Sequence, residues 1–294
     1  MIQHWTFDPF ILVVGVIVVL HEVGLRHLGE RSDPESGGSL RLRSLTFYSG
    51  LGLFLVAIVS PIDYWAYKYF FIHMIQHILI MFFAPILIVL GAPWDPLRFS
   101  GPQKIRVAAG QAIRHGGWAR PLRELGRFLR QGWVAVVLFN VVMVGWHLPP
   151  LFDLAETNLT VHTWLMYSSY ILVGVLFWLQ IIPSFPIKPG LTALGQIWAI
   201  VTTNVVMIIL AMALSIFSSS SWYVVYNHVV GVTLAPFADQ QIGAAILWVC
   251  GDFWALPALF VVIRRAIREE GGGEALIDTM LRGRSRSGPP GAVG

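Results

Sequence analysis

His73 and His77, in the string HMIQH, stand four residues apart at the start of a long apolar run. On a helix that spacing puts both imidazoles on one face. His147 closes a second apolar run in GWHLPPLFD, and His162 opens a third in TVHTW. A single histidine at a helix end is ordinarily an interfacial residue, bonded to water or backbone. Four at the ends of three neighbouring runs predict a shared metal site, because a neutral imidazole is a ligand and an unpaired one in lipid is costly. A methionine pattern accompanies them: Met81 lies four after His77, Met143 four before His147, and Met166 four after His162. Each thioether would fall one helical turn, about 5.4 Å, from its histidine. Imidazole with thioether suits Cu(I), which soft ligands select. Asp239, in FADQQIG, completes the candidate ligand set; His4 and His228 are weaker members. Such a site binds through neutral imidazoles, so affinity is expected to fall as pH drops through about 6.5.

The elements that must position these residues are apolar. The chain has 294 residues, 56% hydrophobic and 12% charged, with mean hydropathy +0.68. A soluble domain carries about 25% charged residues. Apolar runs of about 20 residues recur and predict an all-α polytopic membrane protein, since these runs are too long for barrel strands. Seven spans are expected, at 9–28, 44–61, 70–91, 132–150, 161–183, 193–217 and 241–263. Nineteen of the twenty Lys and Arg fall at one end of these spans, and only Lys68 falls at the other. The positive-inside rule then puts the N-terminus out and the C-terminus in. Six histidines, His4, His73, His77, His147, His162 and His228, share the outer end. The expected division is a seven-helix membrane domain over 1–268 and a flexible cytoplasmic tail over 269–294, rich in Gly, Ser and Arg.

The net charge of +4 belongs to cytoplasmic loops and gives no support to nucleic-acid binding. Cys250 is the only cysteine, so no intrachain disulfide and no paired-thiolate metal motif is possible. MIQHWTFDPF has no basic n-region, so it does not read as a cleaved signal peptide. The 103–130 stretch mixes basic and apolar residues and reads as a solvated loop lying near anionic lipid. Asp252 falls near the middle of the seventh span, where a buried carboxylate is a functional candidate. Asn140 and Asn204 read as interhelical hydrogen-bond partners, and Cys250 as a packing residue. His21 and Glu22, near the inner end of the first span, are able to pair. No nucleophile–base pair stands out, so binding without turnover is expected.

HMIQHILIMFFAPILIVLGAP, WHLPPLFDLA, an outer histidine followed by FW on the fifth span, and ADQQIGAAILW occur in that order. Together they resemble the multi-span CtaG family of cytochrome c oxidase assembly factors, over about Phe47 to Arg265. The single-span copper chaperone that shares the CtaG name needs cysteines absent here. The chain departs from the family pattern at Gly243-Ala244 and Leu247, where a Gly pair and a Met are common. Gly251-Asp252 resembles a subset in which this membrane domain is joined to a copper-resistance domain; no such domain is expected in this chain. The resemblance implies maturation of a haem–copper oxidase in the bacterial plasma membrane, with copper insertion the usual suggestion. Oxidase subunits and periplasmic copper chaperones would be the partners.

Two other readings use the same residues. A copper importer or resistance permease would continue the ligands through the bilayer, with Asn204, Met207, Met212 and Asp252 the only hint of a path. A b-type haem protein would pair His73 or His77 with His147 or His162 across facing helices.

Overall fold

The computed structural model describes residues 4–29 and 37–269, and among these the architecture is all-α. The helices are α1 (Phe10–Gly29), α2 (Gly37–Val59), α3 (Pro61–Ala66), α4 (Phe70–Gly91), α5 (Trp94–Arg98), α6 (Gln103–His115), α7 (Arg120–Leu129), α8 (Gly132–Trp146), α9 (Pro149–Thr157), α10 (Val161–Ile181), α11 (Ala193–Ser215) and α12 (Pro236–Glu269). Six of them, α1, α2, α4, α10, α11 and α12, are each long and apolar enough to cross a membrane. Helix α8 passes the same test only together with the segment before it, across a bend of 83°, and makes a seventh crossing if that bent pair is one span. The chain is therefore a polytopic membrane protein with six to seven crossings among the described residues.

Helix ends follow the local chemistry. Ser60 accepts from the Ile62 N–H to start α3, with Pro61 in the first position, where its missing N–H costs nothing. Pro149 and Pro150 start α9 and so stop α8 at Trp146, a turn before the expected end of the fourth span. Other spans run past their apolar cores: α2 begins at Gly37 and α12 covers Pro236–Glu269. Apolar runs report the hydrocarbon-crossing part of a helix, and the backbone continues beyond it. The basic 103–130 stretch is helical. On α7, Arg120, Arg123 and Arg127 alternate with exposed Leu122, Leu125 and Phe128, the pattern of a helix lying on a membrane surface. The tail expected over 269–294 lies, from residue 270 on, outside the described residues.

Helix α4 is the axis of the bundle, with 67% of its span buried, against 17% for the peripheral α1. It packs on α2, α10 and α12. Gly174 lets α10 approach α4 closely: a Cβ there would lie 2.5 Å from the Met81 carbonyl oxygen. Two short π-helical stretches interrupt the crossings, Leu79–Phe83 in α4 and Val161–Tyr167 in α10. Asn140 on α8 donates to Thr203 Oγ1 on α11 at 3.0 Å, and Asn204 donates to Asp252 Oδ1 on α12 at 3.1 Å, both as interhelical bonds.

Candidate metal centre

Four imidazoles form a row at one end of the bundle, in the order His162, His73, His77, His147. Successive ring centroids are 5.5, 4.2 and 5.5 Å apart. All four residues are buried, none more than 3% exposed. Helix α4 supplies the central pair, the end of α8 supplies His147 and the start of α10 supplies His162.

Hydrogen-bond partners fix where the protons sit in the central pair. Tyr226 Oη donates to the Ala66 carbonyl at 2.8 Å, so it accepts from His73 Nδ1 at 3.2 Å. His73 Nε2 is then bare and takes the proton of His77 Nε2 across 2.6 Å. His77 Nδ1 in turn accepts from Tyr170 Oη at 3.3 Å. Every member of this chain is neutral and satisfied.

The two ends of the row are not satisfied. His147 Nδ1 lies 2.6 Å from the Met143 carbonyl, which can only accept, so Nδ1 carries the proton. His147 Nε2 is therefore a bare lone pair, and it faces the Met74 sulfur, another acceptor, at 3.3 Å. At the other end His162 Nδ1 is 3.0 Å from Glu156 Oε1, which is also 3.4 Å from His73 Nδ1. Neither contact of Glu156 Oε1 has hydrogen-bond geometry, and His162 Nε2 is buried without a partner. One ligand atom each from His73, Glu156 and His162 falls within a 4.8 Å group, the spacing of a metal site. Burial pushes the Glu156 carboxyl above its usual range, and adjacent His162 partly opposes this.

A second polar network braces the His162 end. Asp63 Oδ1 accepts from Gln76 Nε2 and Tyr167 Oη, each at 2.9 Å. Gln76 also donates to the Ala57 carbonyl, tying α2, α3, α4 and α10 together. Burial raises the Asp63 carboxyl, and the bonds from Tyr167 and Gln76 oppose the rise. The Tyr67 hydroxyl, 3.3 Å from His162 Nδ1, is pushed up by burial and by nearby acidic groups, so it stays a neutral phenol.

The expected ligands are placed unevenly. His73, His77, His147 and His162 come together. Met81, Met143 and Met166 are buried in the same core, but the sulfur set against a histidine nitrogen is that of Met74. Within the π-helical Val161–Tyr167, the ring packed on His162 is Tyr167, five residues on, with centroids 4.7 Å apart. The four-residue rule assumes 3.6 residues per turn and fails where the turn is wider. Asp239 uses its carboxylate on backbone: it accepts from Phe70 N at 2.7 Å and Phe71 N at 2.9 Å, capping α4 from α12. Asp252 is not buried, as the sequence suggested; it lies on the outer surface of the bundle beside Asn204. His21 and Glu22 meet through the Tyr48 hydroxyl rather than directly. His4 stacks on Tyr64, and His228 is exposed. Sequence reasoning missed Glu156 and Met74. The available signals were an acidic residue just beyond WHLPPLFDLA and a methionine inside HMIQH.

The family described as cytochrome c oxidase caa3 assembly factor (Caa3_CtaG) matches residues 19–269. The chain belongs to that family. Every residue of the imidazole row, with Glu156 and Met74, falls inside the matched stretch, so the site is part of the CtaG domain itself. Similar proteins include uncharacterized proteins of Mycobacterium bovis and Mycobacterium tuberculosis, each 25% identical over 265 residues. One from Mycobacterium leprae is 26% identical over 279 residues. Each alignment covers 88% of this chain and 38% of the relative, so the chain spans less than half the length of these proteins. No solved structure matches.

Proposed function

We propose that this CtaG-family protein assists assembly of a haem–copper oxidase in the bacterial plasma membrane by binding copper as cargo at the imidazole row and releasing it unchanged. The observation that carries the reading is the row itself: four buried imidazoles from three helices, with bare acceptor atoms at both ends. An apolar core gains nothing from such acceptors, whereas a cation satisfies them. The gathering of basic residues at the opposite end of the chain's spans supports the outer face for the row, where periplasmic copper is available. Oxidase subunits and periplasmic copper chaperones are the partners this role requires. The haem reading fits less well, because Phe152, Tyr170 and Tyr223 fill the space beside the rings.

The test is copper content. Protein purified under reducing conditions should carry copper, and the His73/His77 double alanine variant, correctly folded, should carry little. Equal copper in both would overturn the reading.

A further inference from the structure

The two ends of the imidazole row differ in chemistry. At one end a ligand atom from each of His73, His162 and Glu156 lies within 4.8 Å of the others, with both Nδ1 atoms next to Glu156 Oε1 and the Glu156 side chain 3% exposed. An ion on His73 Nδ1 would move its proton to Nε2, which then donates to His77 Nε2, and His77 Nδ1–H to Tyr170 Oη. Two imidazoles and a carboxylate form a donor set suited to a divalent first-row ion, because oxygen and nitrogen are hard to borderline ligands. At the other end His147 Nε2 and Met74 Sδ face each other at 3.3 Å with no donor between them. Met74 is 0% exposed and His147 2%. Two buried acceptors in contact repel unless something positive joins them. A second N–H proton on His147, at Nε2, would serve the nitrogen but give the sulfur only a weak hydrogen bond, since a thioether is a weak acceptor. A soft monovalent ion satisfies both, and sulfur selects it. His77 lies between the two ends, bonded to His73 through Nε2.

We propose that the row holds two metal positions of different softness: a carboxylate position (His73, Glu156, His162) for a divalent ion, and a thioether position (His147, Met74) for Cu(I). The proposal rests on the reading that the row binds metal, and it adds which residues select which ion. Glu156 and Met74 are the discriminating residues. The imidazoles cannot discriminate by themselves, because imidazole binds both kinds of ion.

The experiment uses full-length protein in detergent and two probes: Co(II), followed by its visible absorption, and Cu(I), followed by competition with a chromophoric chelator. Glu156→Gln should weaken Co(II) binding by about tenfold or more and leave Cu(I) nearly unchanged. Met74→Leu, which keeps the apolar volume, should do the reverse. X-ray absorption on the wild type should find a sulfur neighbour for Cu(I) and none for Co(II), and the sulfur should vanish in Met74→Leu. This measurement on the wild type needs no variant to fold. If both variants weaken both ions equally, or if the Cu(I) shell lacks sulfur, the row is a single site and the proposal fails while metal binding stands. If the wild type binds neither ion, the proposed function fails and takes this inference with it.

Discussion

Asp239, the fourth residue of α12, accepts the backbone N–H groups of Phe70 and Phe71 and so caps the helix that carries His73 and His77. Tyr69, in the cap position of α4, makes no side-chain cap of its own. Asp239→Ala leaves two amides unpaired, that of Phe70 buried and that of Phe71 partly buried, and should destabilise the protein by about 1.5–3 kcal/mol. Asp239→Asn keeps an acceptor and should lose about 1 kcal/mol. Thermal unfolding in detergent measures both. Copper affinity should fall with the alanine variant, because the first turn of α4 sets the His73 position. An alanine variant as stable as wild type would count against the cap.

Gly243 sits one turn after Asp239, where α12 crosses α4. A Cβ there would lie 2.6 Å from the Phe70 ring and 3.1 Å from Met74 Cγ. Both neighbours are fully buried, so neither can swing away cheaply. Gly243→Ala should cost about 1–3 kcal/mol by overpacking. It should also weaken Cu(I) binding more than Co(II) binding, since the displaced Met74 is the proposed Cu(I) ligand. A variant with unchanged stability and unchanged Cu(I) affinity would refute the close packing.

Burial holds the Glu156 carboxyl above its unfolded value, so the folded state retains this proton more tightly than the unfolded chain. The stability this group contributes is complete below about pH 4.3 and is lost as pH rises through the raised folded value. Metal-free Glu156→Gln protein should therefore lose less stability than wild type between about pH 4 and about pH 8. Parallel pH profiles for the two proteins, by thermal unfolding, would show that Glu156 does not titrate as its burial requires.

The sequence made part of this site readable. HMIQH on an apolar run identifies a helix face, and charge asymmetry groups His147 and His162 at the same end. Met74 escaped because it adjoins His73 and points about 100° away from it, to a partner on α8 that only the bundle packing brings near. Glu156 escaped because it is carried by the short helix α9, which folds back over the row; no periodicity in PPLFDLAET signals that direction. The methionine pattern assumes regular turns, and π-helical stretches at Leu79–Phe83 and Val161–Tyr167 break that count for Met81 and Met166. Asp252 was read as buried because it lies mid-helix, but depth along a helix does not say which face it occupies.

Asp252 faces outward, bonded to Asn204 on α11. It belongs to neither end of the imidazole row. Asp252→Asn should leave Cu(I) and Co(II) affinities within about twofold of wild type, since sites without shared partners behave independently. A larger change in metal binding would mean that the surface of α12 is coupled to the row.

Orientation has its own test. Reporter fusions after Phe152 and Ser220 should report outside, and fusions after Gly110 and Arg268 inside, following the nineteen-to-one split of basic residues. An inside signal after Phe152 would place the row on the cytoplasmic face and remove the periplasmic copper argument.

Phe152 on α9 has 0% exposure and packs over His73 and His77, with centroids 4.9 and 6.4 Å away, while Tyr223 closes against it at 4.2 Å. With every imidazole sealed, the speed of exchange is set apart from its strength. On the proposed function, an ion held in the row could leave only after α9 or the segment bearing Tyr223 yields, so opening would precede capture by any acceptor. Release would then follow a rate that levels off as chelator concentration rises, with the aromatic seal, besides the ligands, setting residence time.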